Sequence, residues 1–244
     1  MIFLLTDYGS FDPYCGLLKA AIWGNAPDAI IVDLLHQAPE FNITASAHLL
    51  AAMSLQFPVA SVCVAVIDPG VGSEREAVVM RADEKWFVGP DNGLLAVVAG
   101  RARKSELWRI DWRPEKLSVS FHGRDLFAPV AAWIEKGAFP HDKLSSISRL
   151  QVVLDSGDLA EVIYIDHYGN LLTGLRTTQI PRETTFLFGS WLIEYSRVFS
   201  DAMPGRLFWY ENSCGMVEFA LNGSSAAQFL GTRIGDQFEI HLPP

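Results

Sequence analysis

The sequence predicts an α/β fold in two domains, and three observations support this prediction. Apolar segments without polar alternation recur in the first half of the chain, and helical patterns separate them. Strands of a parallel sheet have this composition, because helices cover both faces of the sheet. After about residue 150 the segments become short, aromatic-rich and punctuated by Gly and Asn, which is typical of antiparallel sheets and small barrels. We therefore predict an N-terminal domain over residues 1–150, with a mostly parallel sheet flanked by helices, and a smaller C-terminal antiparallel β-barrel domain over residues 160–244.

In the N-terminal half of the chain, the pattern of residues predicts strands that alternate with helices, beginning with a strand at residue 2. Pro13 stands where a helix would begin, because proline suits the first helical turn, and Asp12 before it is of a type that caps helices. The Ala- and Leu-rich residues 44–56 predict a second helix. The segments that we predict to be strands covered on both faces are residues 2–6, 29–35 and 61–67. Their order with the helices is a βαβ pattern, which favours parallel pairing.

Different patterns follow in the rest of the chain. Residues 77–81 and 86–88 flank a short polar link and predict a hairpin, and residues 125–136 predict one more amphipathic helix. The strands predicted for the C-terminal domain are residues 161–166, 185–188, 192–195, 207–210 and 216–221.

Composition excludes several classes of protein. The formal net charge is −9 and there is no basic cluster, so we expect no nucleic-acid partner. No apolar segment reaches the roughly 18 residues of a membrane span, and no charged segment followed by an apolar one opens the chain, so we expect no membrane partner and no export. Cys15, Cys63 and Cys214 are far apart and lack C-x-x-C spacing. We therefore expect no disulfide framework and no zinc ribbon, and a location in the reducing cytoplasm.

The most informative segment is residues 67–75, with the sequence IDPGVGSER. It leaves an apolar strand, turns on Pro and two Gly, and ends on Arg75, so that a carboxylate at Asp68 and a guanidinium stand on either side of a bare backbone turn. The glycines begin like a dinucleotide fingerprint, but the third glycine is replaced by Arg75, and the Gly-Lys-Ser/Thr of a P-loop is absent. The segment therefore predicts a site that does not bind nucleotide phosphates.

Carboxylates recur at turns of the N-terminal domain, at Asp7, Asp12, Asp68 and Asp91. Because parallel strands end at the same edge of a sheet, where ligands bind, we expect Asp7 and Asp68 to approach each other. The other two have plain structural alternatives, since Asp12 would cap a helix and Asp91 would form an Asx-turn.

Two further segments carry side chains suited to a site. In residues 121–129, FHGRDLFAP, His122 precedes a glycine and a predicted helix start, while Arg124 and Asp125 favour an internal ion pair. In the C-terminal domain, Asn170 ends a turn that contains Tyr168. An Asn amide can recognise the edge of a purine and a tyrosine ring can stack on it, although Asn at turns more often serves the backbone.

Taken in order, these segments resemble the S-adenosylmethionine (SAM) hydrolase family, also called SAM hydroxide adenosyltransferases, relatives of the fluoride and chloride adenosyl synthases. The matching segments are TDYG at 6–9, DPY at 12–14, VDLLH at 32–36, IDPGVGSER at 67–75, PDNG at 90–93, FHGRD at 121–125, DHYGN at 166–170 and SCGMVE at 213–218. The resemblance implies an α/β domain followed by a smaller β-barrel domain. It also implies a homotrimer with active sites between neighbouring subunits, and displacement of methionine from the ribose 5′ carbon of SAM by water or hydroxide.

The resemblance also assigns roles to individual residues. Asp68, Arg75 and His122 match the catalytic residues that handle the water, and which of them takes the proton is left open. The residues that the resemblance places against the substrate are Asp7 at the ribose hydroxyls, Asp12 nearer the methionine, Phe41 as an aromatic contact, Asn170, Tyr168 and Phe199 at the adenine, Asp166 and Ser213 at the ends of the methionine, and Glu218. SAM is the substrate, and no cofactor or metal is expected.

Three other functions remain open at this point. A halide-dependent adenosyl synthase would run the same displacement with another nucleophile, a sensor would bind SAM or adenosine without turnover, and a metal-dependent hydrolase would use the dispersed Asp and His residues. The carboxylate of Asp68 favours water over a halide, since it would repel an anion by a few kcal/mol at about 4 Å with an effective dielectric near 20.

Overall fold

The computed structural model describes residues 1–243 and divides the chain into two units, Met1–Ser156 and Gly157–Pro244. Each unit contains its own mixed seven-stranded sheet, and the predicted fold class is confirmed. Every helix within residues 1–243 is too short or too polar to cross a lipid bilayer.

The sheet of the first unit has a parallel half and an antiparallel half. Its strands are β1 (Ile2–Thr6), β2 (Ile31–Leu35), β3 (Val62–Val66), β4 (Ala77–Ala82), β5 (Lys85–Pro90), β6 (Ser105–Ile110) and β7 (Leu144–Ile147), in the order β2-β1-β3-β5-β4-β6-β7. The strands β2, β1, β3 and β5 run parallel, whereas β4 pairs antiparallel with β5 and β6, and β7 pairs antiparallel with β6. The predicted hairpin is therefore confirmed as β4 and β5. The strands β6 and β7, which the sequence did not predict, continue the antiparallel half of the sheet from β4.

Burial along the strands follows their place in the sheet. All residues of β1 and β3 are buried, as predicted for strands covered on both faces. The same prediction is wrong for β2, whose residues are partly or fully exposed, because β2 lies at the edge of the sheet.

Helices cover both faces of this sheet. They are α1 (Pro13–Asn25), α2 (Ile43–Ser54), α3 (Ala96–Arg101) and α4 (Ala128–Glu135), and a π-helical turn over Gly123–Phe127 precedes α4. Side chains alternate along β1, so that Ile2 and Leu4 pack with α1 and α4 while Phe3 and Leu5 pack with α2. The predicted helix over 125–136 is thus confirmed in its second part, and its first turn is π-helical.

The second unit is a curled half-barrel. Its strands are β8 (Leu159–Ile165), β9 (Leu171–Arg176), β10 (Thr185–Phe188), β11 (Trp191–Tyr195), β12 (Leu207–Glu211), β13 (Met216–Leu221) and β14 (Glu239–His241), in the order β14-β10-β11-β12-β13-β9-β8, with a short helix α5 (Ala226–Leu230). An isolated bridge between Glu161 and Gln237 brings the chain before β14 beside β8, so the sheet curves back on itself. Trp209, Phe186 and Phe219 fill its core. The pair β11 and β12 is parallel, and the other pairs are antiparallel.

Candidate active site

A cleft of about 450 Å³ opens at the carboxyl ends of β1 and β3. These strands are parallel neighbours, with Thr6 opposite Val66, so the residues that follow them emerge side by side. The lining includes Asp7, Tyr8, Phe41, Asp68 and His122. The approach of Asp7 and Asp68, expected from the strand order, is therefore confirmed.

Asp68 lines this cleft and forms a buried, two-point ion pair with Arg75, which is not itself on the lining. Arg75 Nε donates to Asp68 Oδ1 at 2.9 Å, and Arg75 Nη2 donates to Asp68 Oδ2. Their side chains are 5% exposed for Asp68 and 10% exposed for Arg75. A bidentate pair of this kind holds the carboxylate in one orientation, with lone pairs still available to accept hydrogen bonds.

His122 completes a cluster of three with this pair, and the contact fixes its tautomer. Arg75 Nη2 lies 2.9 Å from His122 Nδ1. A guanidinium only donates hydrogen bonds, so Nδ1 is the acceptor and the ring proton is on Nε2. Burial lowers the pKa of His122 below 6.5, and the positive charge of Arg75 lowers it further. The histidine is therefore neutral at pH 7 and can only donate, through Nε2.

Arg75 makes two further contacts besides those with Asp68 and His122. Its Nη1 donates to the carbonyl oxygen of Glu76 at 3.3 Å, and its guanidinium lies 5.4 Å from the ring centroid of Phe127 in the π-helical turn. The turn before it requires glycine at Gly72, which has a φ of 82° and would place a Cβ 2.5 Å from the carbonyl oxygen of Val119. Gly72 thus allows the turn to pack closely against the neighbouring loop.

Asp7 and Phe41 occupy another wall of the cleft. The main-chain N–H of Phe41 donates a long hydrogen bond of 3.5 Å to Asp7 Oδ2. Burial raises the pKa of Asp7, and the negative charges of Glu40 and Asp68 add to this effect. Phe41 has a φ of 56° and is 74% exposed, a conformation that a bulky residue rarely adopts. An exposed ring held in this conformation beside Asp7 is available to a ligand in the cleft.

Three other residues from the sequence have different surroundings. Asp12 is exposed and lies outside the cleft lining; it occupies the predicted N-cap position of α1, but its side chain makes no capping hydrogen bond. Asp91 is buried and accepts the main-chain N–H groups of Gln151 at 2.8 Å and Val152 at 3.4 Å. It therefore holds a neighbouring loop and does not form the predicted Asx-turn. Arg124 pairs with Asp125 at 2.5 Å, which confirms the predicted internal ion pair.

A second pocket, of about 620 Å³, lies within the second unit. Its lining includes Asp166, Tyr168, Asn170 and Phe199, all four of which the sequence predicted as site residues. Asp166 Oδ1 accepts the main-chain N–H groups of Tyr168 and Asn170, and Asp166 Oδ2 accepts Asn170 Nδ2 at 3.0 Å. Because the amide nitrogen of Asn170 is held by this carboxylate, its carbonyl oxygen is the group offered to a ligand.

Glu218 lies buried beside this pocket and not on its lining. Tyr210 Oη donates to Glu218 Oε1, and Asn212 Nδ2 donates to Glu218 Oε2 at 2.9 Å. Burial raises the pKa of Glu218, although hydrogen bonds from Tyr210, Asn212 and Asn170 oppose this shift. The contacts fit a role in holding the pocket wall. Ser213, by contrast, lies exposed on the turn after β12 and outside the pocket lining.

Replacing Glu218 with alanine is expected to lower the free energy of unfolding by about 1–3 kcal/mol, because the buried donors of Tyr210 and Asn212 lose their acceptor. Urea denaturation measures this change in the free energy of unfolding, followed through the unfolding transition of the second unit. Glu211→Ala, at an exposed position of the same strand pair, is the control and should change the free energy by less than about 0.5 kcal/mol. Equal effects of the two changes would contradict the role of Glu218.

Sequence reasoning missed two tyrosines. Tyr8 lines the first cleft and Tyr210 lines the second pocket. Tyr210 could have been found from strand pairing, since it stands opposite Glu218 in the antiparallel register. For Tyr8 the signal was its place directly after Asp7 at a strand end.

Candidate metal ligands do not come together in the described part of the chain. Within residues 1–243, no group of three or more His, Cys, Asp or Glu side chains is arranged to hold a metal ion. The expectation that the reaction needs no metal stays a prediction.

Comparison with known proteins gives full-length matches. The models of the SAM hydroxide adenosyltransferase N-terminal and C-terminal domains match residues 2–144 and 160–239. The (R)-S-adenosyl-L-methionine hydrolase of Salinispora arenicola is 36% identical, covering 96% of this chain and 95% of that protein. The enzyme of the same name from Thermus thermophilus is 33% identical, covering 96% of each chain.

Solved structures are similar over the same length. The crystal structure of an uncharacterized conserved protein from Thermotoga maritima has a TM-score of 0.90 and 32% identity, covering 98% of this chain and 99% of that one. The crystal structure of a conserved hypothetical protein from Thermus thermophilus has a TM-score of 0.77 and 30% identity over the same shares.

Proposed function

The chain belongs to the SAM hydroxide adenosyltransferase family, and we propose from this that it hydrolyses S-adenosyl-L-methionine to adenosine and L-methionine. The observation that carries the proposal is the cluster of Asp68, Arg75 and His122, in which Asp68 and His122 line the first cleft. It supplies a carboxylate that accepts hydrogen bonds and an imidazole that donates one, which are the two partners that a water molecule needs to be oriented.

The reaction is a displacement at carbon. The water oxygen forms a bond to the ribose 5′ carbon while the carbon–sulfur bond breaks, and the electron pair of that bond goes to sulfur, so methionine leaves as a neutral thioether. One proton of the water is released. Because a sulfonium leaves readily, the protein's task is to align the water with the carbon–sulfur bond, and alignment of this kind supplies up to about 7–11 kcal/mol in ideal cases.

The proton from the water passes to Asp68. His122 Nδ1 is already occupied by Arg75, and Nε2 carries the ring proton, so neither nitrogen has a lone pair free to accept another. Arg75 cannot accept a proton, since its guanidinium stays charged. Asp68 thus acts as the acceptor, His122 positions the water through Nε2–H, and Arg75 holds both.

The remaining substrate contacts come from residues of the two pocket linings and from Asp12 and Ser213, which lie outside them. Asp7 binds the ribose hydroxyls and Phe41 packs against the substrate, with Asp12 nearer the methionine. In the second unit, Tyr168 and Phe199 stack on adenine, and the Asn170 carbonyl accepts a hydrogen bond from its exocyclic amine. Asp166 and Ser213 hold the two ends of the methionine. The chain assembles as a homotrimer in which neighbouring subunits complete each active site, and it acts in the cytoplasm, where its free cysteines stay reduced.

Water, and not a halide, is the nucleophile. Asp68 repels an anion, and four of the five N–H groups of Arg75 are used by Asp68, His122 and the Glu76 carbonyl, so the guanidinium has little capacity to hold a halide. Incubation with SAM in excess chloride should therefore yield adenosine and no 5′-chloro-adenosine.

The test of the function is incubation of the purified protein with SAM, followed by chromatography for adenosine and methionine. Equal amounts of both products are expected, with turnover unchanged after treatment with a chelator. Tight binding of adenosine without any product would favour a sensor, and loss of turnover with the chelator would favour a metal-dependent hydrolase.

The pH profile of the reaction should reflect the lowered pKa of His122. With its pKa below 6.5, more than half of the His122 rings are neutral at pH 6.5, so the midpoint of the rate loss should lie below that pH. Initial rates across the acid range measure this, and in His122→Gln the remaining acid limb should belong to a carboxyl group such as Asp7. An acid limb centred at or above pH 6.5 in the wild type would contradict the assignment.

A further inference from the structure

The hydroxyl of Tyr8 has no assigned role, although Tyr8 lines the same cleft as Asp7, Asp68 and His122. Among residues 1–243 this hydroxyl has no hydrogen-bond partner, and the hydrogen bond that Tyr8 does make is a long one from its main-chain N–H to Thr6 Oγ1, at 3.4 Å. Tyr8 is half-buried, and its hydroxyl is not among the fully buried side-chain atoms that lack a partner. A phenol oxygen both donates and accepts hydrogen bonds, so this hydroxyl can bond to a molecule that enters the cleft.

The ring of Tyr8 packs against two aromatic neighbours. Its centroid lies 5.9 Å from that of Tyr14 and 5.7 Å from that of Phe121, with both neighbours tilted or edge-on. The hydroxyl faces Gly123, where a Cβ would lie 2.2 Å from the Tyr8 oxygen. Gly123 therefore leaves the space that the hydroxyl fills, directly after His122 in the chain.

The charges around Tyr8 keep it a phenol. Burial raises its pKa, and the negative charges of Asp7 and Asp68 raise it further. The group is consequently neutral at all working pH values, and it acts through hydrogen bonds and not as a base.

We propose that Tyr8 is a further catalytic residue, whose hydroxyl oxygen accepts a hydrogen bond from the attacking water. The proposal rests on the proposed hydrolase function. The water would then have four defined neighbours: one hydrogen on Asp68, the other on Tyr8, one lone pair accepting from His122 Nε2–H, and the second lone pair directed at the 5′ carbon. The phenol keeps its own proton, and the water's proton still passes to Asp68.

The test is Tyr8→Phe, which removes the hydroxyl and keeps the ring. We expect kcat for adenosine release to fall about tenfold with KM changed less than about twofold, because one neutral hydrogen bond to the reacting water is lost. Tyr195→Phe, at a tyrosine of the second unit outside both pocket linings, is the control and should leave both constants unchanged.

A double-variant cycle separates this role from a general effect on packing. Gly123→Ala forces the hydroxyl to move, so it should lower kcat, and adding Tyr8→Phe should cause no further loss because the hydrogen bond is already gone. Full kcat in Tyr8→Phe, or losses that simply multiply in the double variant, would overturn the proposal and leave the hydrolase function standing. A wild type that releases no adenosine would overturn both.

Discussion

Replacing Asp68 with asparagine is expected to lower kcat about 10²- to 10⁴-fold, the usual range for loss of a group that transfers a proton. Asparagine keeps the size of the side chain but removes the charge, so the water loses its proton acceptor. The amide also has only one oxygen to offer Arg75, which donates to both oxygens of Asp68. KM for SAM should change much less than kcat, because Asp68 acts on the water and not on the substrate's binding groups.

The matched control is Glu74→Gln, which removes a carboxylate from an exposed position of the same turn. It should leave kcat within about twofold of the wild type, since surface substitutions away from a site have small effects. Rates are measured as adenosine release over a range of SAM concentrations, which gives both kcat and KM, with thermal melting to show that both variants are folded. If Asp68→Asn retained the wild-type kcat, another group would have to take the proton.

The sequence predicted the part of the site that depends on strand order. Asp7 and Asp68 follow apolar segments that were recognisable as parallel strands, and such strands end at one edge of a sheet. Strand order alone could not predict the contact of Arg75 with His122, which only the family resemblance implied, because the two residues are 47 positions apart and their distance depends on how a loop and a π-helical turn pack.

The limits of the sequence prediction have physical causes in both units. The strands β6 and β7 of the first sheet are half-buried, mixed in composition and antiparallel, so they lack the continuous apolar run that identified β1 and β3. A glutamate is usually exposed, so nothing in the sequence indicated that Glu218 is buried. Its burial depends on its place opposite Tyr210 in the strand pair, where the tyrosine hydroxyl donates to the carboxylate. Phe41 and Ser213 were placed by resemblance alone, since one depends on an unusual backbone angle and the other on an exposed turn.

Removing the guanidinium in Arg75→Met should lower the free energy of unfolding by about 3–5 kcal/mol, because it leaves the buried charge of Asp68 without its partner. Arg75→Lys should cost less, since it keeps the charge but loses the two-point contact and the donor to His122. Lys104→Met removes an exposed pair with Glu106 in the same unit, and as the control it should cost less than about 1 kcal/mol.

The double variant Arg75→Met/Asp68→Leu distinguishes a structural ion pair from one that serves catalysis. Replacing both charges with apolar groups removes the unpaired carboxylate, so much of the stability lost in Arg75→Met should return, while hydrolysis stays absent. Urea denaturation gives the free energies and adenosine release gives the rates. If Arg75→Met were as stable as the wild type, Asp68 would have to reach water or another cation in that variant, and its pairing with Arg75 would not stabilise the fold.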